Sequence, residues 1–306
     1  LVSLLRDKFK VATLSRGYKR KTSGFVIAGE KTSEREVGDE PKQMKNKFPD
    51  IVVAVDENRV RGVDKLLSGE KTGSVNVVLL DDAFQHRRIK PGLNILLIDY
   101  NRPLSKDHLL PMGRLREQSY ERRRAHIILV TKCPAEMKPI ERRILVKNLK
   151  LLSYQTLYFT TFKYKDLVQV FHPEKKIEIS NLKSANKKIL LLTGIANTKT
   201  IKDFLKDHSD GFEHLEYSDH YRFREKDFGK IARKFAEIDA PDKIILTTEK
   251  DAVRIREIEN VPDEIKNALY YLPVEIEFLN NDAENFNKEI MNYVRNNKKY
   301  KTFNIE

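Results

Sequence analysis

Asp81-Asp82-Ala83-Phe84-Gln85-His86-Arg87-Arg88 is the segment of this chain best suited to chemistry. Two adjacent carboxylates can hold a divalent cation. A histidine and two arginines directly behind them suit an anionic substrate. An aspartate that follows an apolar strand is also how phosphoryl-transfer enzymes of the P-loop kind hold magnesium. The bland alternative is a capped strand end with a polar loop. A second group of residues has similar potential. Val37-Gly38-Asp39-Glu40-Pro41 sets a carboxylate beside a glycine, and by its residues alone it reads as a turn entering a helix whose first turn holds Pro41. Pro111-Met112-Gly113-Arg114-Leu115-Arg116-Glu117 offers paired charges after a glycine turn. Ser15-Arg16-Gly17-Tyr18 and Asp56-Glu57-Asn58-Arg59 each place an arginine where a strand should end.

The elements that must position these residues follow from the apolar pattern. Val75-Asn76-Val77-Val78-Leu79-Leu80 is a short, β-branched run of the kind found in buried parallel strands, so Asp81 and Asp82 fall at a strand's carboxyl end. That is where open α/β sheets bind ligands. Similar runs at 10–15, 51–55, 94–98 and 127–130, separated by helical or loop segments, predict a largely parallel sheet. A helix is expected over 141–152. The texture changes after 155. Strand-like stretches at 155–162 and 166–171, a turn at 172–175 and a further stretch at 176–179 predict a β-ribbon linker. A second α/β unit follows, with strands at 188–192 and 243–248. The expected organisation is a core domain over 1–155, a β-ribbon linker over 156–182 and a smaller α/β domain over 183–306.

Bulk properties narrow the function classes. A hydrophobic fraction of 40% and several apolar strands support a real core rather than disorder. The net charge of +13 suggests a negative partner: nucleic acid, an anionic membrane or a phosphorylated substrate. Single-strand nucleic-acid binders interleave aromatics with their basic runs, and the runs at 19–21, 87–88 and 122–124 lack that texture. No nucleic-acid partner is expected. The single cysteine, Cys133, excludes an internal disulfide and reads as a small buried hydrophobe at a strand end. No apolar stretch approaches the length needed to span a bilayer.

The chain resembles the tetraacyldisaccharide 4'-kinases, which phosphorylate the lipid A precursor in Gram-negative bacteria. Residues 81–88 are similar to that family's Asp-Asp-Gly-Phe-Gln-His-Arg signature, with Ala83 in place of the more usual glycine. Segments 14–18, 37–41, 111–117, 192–197, 219–223 and 247–254 also resemble family motifs, in the family's order. The resemblance implies a P-loop-type core domain with ATP and Mg2+ as cofactors. It makes Asp39 and His220 the pair that assists deprotonation of the acceptor hydroxyl, the histidine coming from the smaller domain. Asp82, Asp81 and Glu117 would serve the metal. Arg16, Tyr18, Asn58, Arg59, Gln85, His86 and Arg116 would meet the substrate. The partners would be the tetraacyldisaccharide 1-phosphate and the inner-membrane surface, at the cytoplasmic face of the bacterial inner membrane. The loops at 193–197 and 247–251 have no chemistry that their residues disclose.

One expected motif does not occur. No GxxxxGK(S/T) phosphate loop lies in these residues; the Lys-Thr pairs at 31–32 and 71–72 lack the glycine spacing. The first segment has apolar residues at helical spacing and precedes a strand, as the helix after a phosphate loop does. The expectation is that the phosphate loop lies upstream of Leu1, and that these 306 residues alone bind ATP poorly. The rival reading is another P-loop phosphotransferase or GTPase with a small polar substrate.

Overall fold

The computed structural model describes residues 1–104, 107–184 and 186–297. In its first unit, four short strands form the sheet β2-β3-β1-β4: β1 (Val11–Ser15), β2 (Val26–Ile27), β3 (Val52–Val55) and β4 (Val77–Leu80). The central strand β1 runs parallel to both neighbours, with Leu14 opposite Ala54 on one side and Leu80 on the other. Val11, Ala12 and Leu14 are buried, which is why this strand reads as a continuous apolar run rather than an alternating one. Because β1, β3 and β4 are parallel, their carboxyl ends lie on one edge. The loops at 16–18, 56–59 and 81–86 therefore emerge side by side.

A second sheet of the same unit has the order β14-β7-β6-β5, from β5 (Ile95–Asp99), β6 (Ile127–Thr131), β7 (Thr156–Tyr164) and β14 (Val274–Phe278). Strands β5, β6 and β7 are parallel. The helix expected over 141–152 spans Pro139–Leu149. Proline in its first turn supplies a fixed φ where no N–H is needed.

The other unit carries a six-stranded sheet of order β11-β10-β12-β13-β8-β9: β8 (Leu167–Gln169), β9 (Lys176–Ile177), β10 (Lys188–Thr193), β11 (Phe212–Glu216), β12 (Lys243–Thr248) and β13 (Leu269–Leu272). Strands β10 to β13 are parallel. Strand β8 is antiparallel to both β13 and β9. Leu190, Leu192 and Ile245 pack on one side with Phe228, Ile231 and Phe235 of the Glu225–Glu237 helix.

The chain divides differently from the sequence expectation. One unit is Leu1–Phe162 together with the described residues from Ile276 onward, and the other is Lys163–Glu275. Strand β7, expected in the linker, pairs along β6 as a full sheet member. The ribbon is reduced to β8 and β9, and β8 is itself bonded into the second sheet. The Ala283–Asn297 helix returns to the first unit, where Phe286, Ile290 and Met291 are buried with Val2, Leu5, Val11 and Val53. Its apolar stripe announces that it packs, but not against which sheet. Strands β2, β11, β13 and β14 have no counterpart in the sequence reading.

Candidate active site

In the first unit the site is built on the shared carboxyl edge of β1, β3 and β4. Arg59 lies at its centre, 3% exposed. Its Nη1 donates to the Asp56 carbonyl at 2.6 Å, and its Nη2 to the Asp81 carbonyl at 3.4 Å. Burial lowers its pKa, and so does Arg16, while Asp81, Asp82 and Asp56 oppose the shift. Arg59 thus fastens the β3 loop to the β4 loop. Asp56, fully buried, is held by the Arg61 guanidinium at 3.0 and 2.6 Å. Asn58 caps the Arg59–Ser68 helix by accepting from the Arg61 amide at 3.2 Å. Its side-chain oxygen is therefore engaged in a local structural bond.

Two glycines bring the Asp39 loop to this edge. Gly17 and Gly38 have φ of 70° and 95°, and a Cβ on Gly38 would stand 3.1 Å from the Tyr18 carbonyl. The backbones of the two loops touch, so Asp39 opens its helix beside Arg16 and Tyr18. Arg16 and Tyr18 are exposed. The next residue, Glu40, was not singled out in the sequence, yet its charge reaches Asp81. Asp81 is exposed as a residue, but desolvation of its carboxyl group pushes its pKa up. The neighbouring Glu40 and Asp82 carboxylates add to the rise, and Arg59 opposes it. Only the fold could disclose Glu40, because it depends on which helix start faces β4.

Asp82 takes the left-handed conformation, φ 44°. Aspartate tolerates that region better than most residues. The left-handed turn falls on Asp82 rather than Ala83, so alanine fits where the family signature has glycine. Asp82 accepts from Arg116 Nη1 at 3.1 and 3.3 Å. The turn closes through the His86 amide to the Ala83 carbonyl at 2.9 Å. The buried His86 Nδ1 has no hydrogen-bond partner there, and Gln85 is exposed. Arg124 holds the same turn, donating to the Phe84 carbonyl at 2.8 Å with its guanidinium over the Phe84 ring.

Glu117 sits among arginines. It is bonded to Arg124, and Arg87 lies 3.6 Å away. Among the described residues, no three acidic, histidine or cysteine side chains converge on one point that could hold a metal. Asp81, Asp82 and Glu117 are thus not gathered into a ready-made metal cage. Magnesium is ordinarily bound through one or two carboxylates plus substrate phosphates. The hard oxygen donors at 81 and 82, with Asp81 crowded by like charge, fit that use.

In the second unit, β10, β11 and β12 deliver three loops to one carboxyl edge. Asp251 is fully buried in the first turn of the Glu249–Arg256 helix, which is capped by Thr248. Its carboxylate accepts from Gly194 N–H at 2.9 Å, Thr248 Oγ1 at 2.8 Å and Arg254 Nη1 at 2.9 Å. His220, with φ 57°, donates its amide to the Gly194 carbonyl at 3.0 Å. The loops at 193–197 and 247–251, silent in the sequence, therefore form the seat of His220.

A family model described as tetraacyldisaccharide-1-P 4'-kinase matches residues 1–295. The tetraacyldisaccharide 4'-kinase of Bacteroides thetaiotaomicron is 46% identical over 310 residues, covering 99% of this chain and 81% of that protein. The corresponding Flavobacterium johnsoniae protein is 41% identical, covering 97% and 82%. A crystal structure of LpxK from Aquifex aeolicus in complex with ATP superposes with a TM-score of 0.66 at 26% identity, covering 95% of this chain and 81% of that one. The α/β, parallel-rich architecture agrees with the largely parallel sheet expected from the strand pattern and with the P-loop-type core that the family resemblance implies. With a family model matched over residues 1–295 and relatives more than 40% identical along nearly its whole length, this chain belongs to the tetraacyldisaccharide-1-P 4'-kinase family.

Proposed function

We propose that this chain transfers the γ-phosphoryl group of ATP to the 4'-hydroxyl of a tetraacylated glucosamine disaccharide 1-phosphate, a step of lipid A biosynthesis. The observation that carries the reading is the family match over residues 1–295. The carboxylate and arginine groups on the β1-β3-β4 edge are what such a transfer needs. Phosphoryl transfer depends mainly on positioning and charge neutralisation.

Asp39 and His220 activate the acceptor hydroxyl, which is a poor nucleophile at neutral pH. Asp81 and Asp82 would hold magnesium directly or through water, with Glu117 as a further carboxylate. When bound, that metal offsets phosphate charge and orients the leaving group. Arg16, Arg59 and Arg116 meet the anionic groups of substrate and nucleotide, and Arg116, paired here with Asp82, would turn to a phosphate if Asp82 held the metal. Tyr18, Asn58, Gln85 and His86 line the acceptor side.

The acyl chains require work at a membrane surface, at the cytoplasmic face of the inner membrane. Among the described residues, no helix is long and apolar enough to cross a membrane. The net charge of +13 suits anionic head groups. Leu110 and Met112, 63% and 85% exposed beside Arg114, offer apolar contact there. The test is phosphate transfer from labelled ATP, in the natural protein, to the tetraacylated disaccharide 1-phosphate and to non-lipid sugar acceptors. Product only with the lipid supports the assignment. Transfer only to small polar acceptors overturns it.

A further inference from the structure

His220 is held more firmly than a surface histidine needs to be. The Gly194 carbonyl accepts from the His220 amide at 3.0 Å and from Arg254 Nη1 at 3.2 Å, while the Gly194 amide donates to Asp251. Arg254 and Asp251 pair at 2.9 Å with side-chain exposures of 4% and 0%. A buried ion pair is weak as a source of stability, because desolvation offsets most of its attraction. Its better-attested use is to fix one arrangement. Here it fixes three loops from three parallel strands, and the other terminal nitrogen of Arg254 is aimed at a ring. Arg254 Nη2 lies 3.2 Å from His220 Nδ1.

A guanidinium has five N–H donors, no acceptor, and stays protonated. Nδ1 must therefore present its lone pair to Arg254. In a neutral imidazole the proton is then on Nε2. The Asp219 carboxylate lies 3.7 Å from Nε2, and its negative charge favours a proton there, the same tautomer. We infer that Arg254, anchored by Asp251, is a positioning residue that fixes both the ring orientation and the tautomer of His220, so that this histidine presents Nε2–H as a donor. The inference deepens the proposed function and rests on His220 being a site residue. In this state His220 acts as a hydrogen-bond donor to an anionic oxygen.

The test joins a spectroscopic readout to a kinetic one. Histidine nitrogens are labelled with 15N in the natural protein, and His220 is assigned by its loss in His220→Gln. Long-range proton–nitrogen spectra at neutral pH then report which nitrogen carries hydrogen. Removing Arg254 alone leaves a buried carboxylate unpaired and can prevent folding. The informative variant is therefore Asp251→Asn with Arg254→Met, which removes both charges and keeps the volume. Arg254→Lys, which keeps the charge, is the companion. The expected result is an Nε2–H ring in the wild type and a mixture of tautomers in both variants. With it, kcat should fall on the order of tenfold or more while KM for ATP changes little. A proton on Nδ1 in the wild type overturns the inference, as does an unchanged tautomer in folded variants whatever their rate. A tautomer that changes with no loss of kcat upholds the hold of Arg254 on the ring and rejects His220 as a catalytic residue.

Discussion

Arg116 Nη1 stands 3.1 Å from Asp82 Oδ2, so the carboxylate proposed for the metal is already paired with a cation that can also bind phosphate. Both side chains are well exposed, at 59% and 69%, so the pair contributes at most about 1 kcal/mol to folding. Its importance, on the proposed function, lies in catalysis.

Asp82→Asn separates the two roles. Asparagine tolerates the left-handed backbone of this position, so the fold should be retained. Magnesium-dependent turnover should fall on the order of a hundredfold or more, because the triphosphate charge is no longer offset at the strand end. The thermal midpoint should move by only a few degrees. A turnover within a few-fold of wild type at saturating magnesium would show that the carboxylate only shapes the loop.

The assignment of Asp39 and His220 to one step predicts non-additive losses. Each alanine variant should lower kcat strongly, and the double variant should be little worse than the poorer single one. Losses that multiply would separate the two residues into independent roles. Steady-state kinetics of the four proteins, each checked for folding by circular dichroism, decides between these outcomes.

Glu57 links acid stability to the candidate site. Bonds from its own amide and from Gly24, together with Arg61 and Arg20, lower its pKa from 4.5 to about 2. A carboxyl depressed on folding stabilises the native state above its unfolded value. That contribution is present above pH 4.5 and is lost as pH falls toward about 2. Glu57→Gln should therefore flatten the fall in stability across this window, measured by urea unfolding at several pH values. The side chain is 45% exposed, so the effect should be small and weaken with salt. Identical pH profiles for the two proteins would contradict the linkage.

Cys133 should be a silent thiol. Burial, with a smaller contribution from Asp99, pushes its pKa from 9.0 up to about 11. Near pH 8 its thiolate should be on the order of a hundredfold scarcer in the folded chain than in the unfolded one. Thiol reagents should accordingly label it slowly in buffer and quickly in urea. Cys133→Ala should keep turnover within a few-fold. Rapid labelling of the native protein, or a severe loss of turnover, would require a reactive role instead.

The strands carrying the first-unit site were legible because parallel strands buried on both faces must be apolar throughout. Residues 51–55 meet that demand fully, and 10–15 and 75–80 come close to it with Val11, Ala12, Leu14 and Val77 to Leu80; the observed β1, β3 and β4 fall inside those limits. Strands β11, β13 and β14 were not. Phe212–Glu216 has only two apolar residues, three positions apart, and so shows neither an apolar run nor a strand alternation, and Val274–Phe278 spans a unit boundary that no local pattern marks. The Asp81-Asp82 pair could be placed at a strand end, and Arg16 and Arg59 at other strand ends, from the same periodicity; that these ends are neighbours came only with the sheet order.

By itself the sequence determined the chemistry on offer: carboxylates, arginines and a histidine at the carboxyl ends of apolar runs, in an order that resembles one kinase family. Tertiary structure alone decided how they are used. Glu40 bears on Asp81 because the Gly17 and Gly38 backbones allow two loops to touch. Asp82 faces Arg116 although 34 positions separate them. Asp251 and Arg254 become the seat of His220 because three parallel strands end together. Strand periodicity is a local property that burial imposes on neighbouring residues. Ion pairing and buried hydrogen bonding are set by distances across the sheet edge, which exist only once the strands are in register.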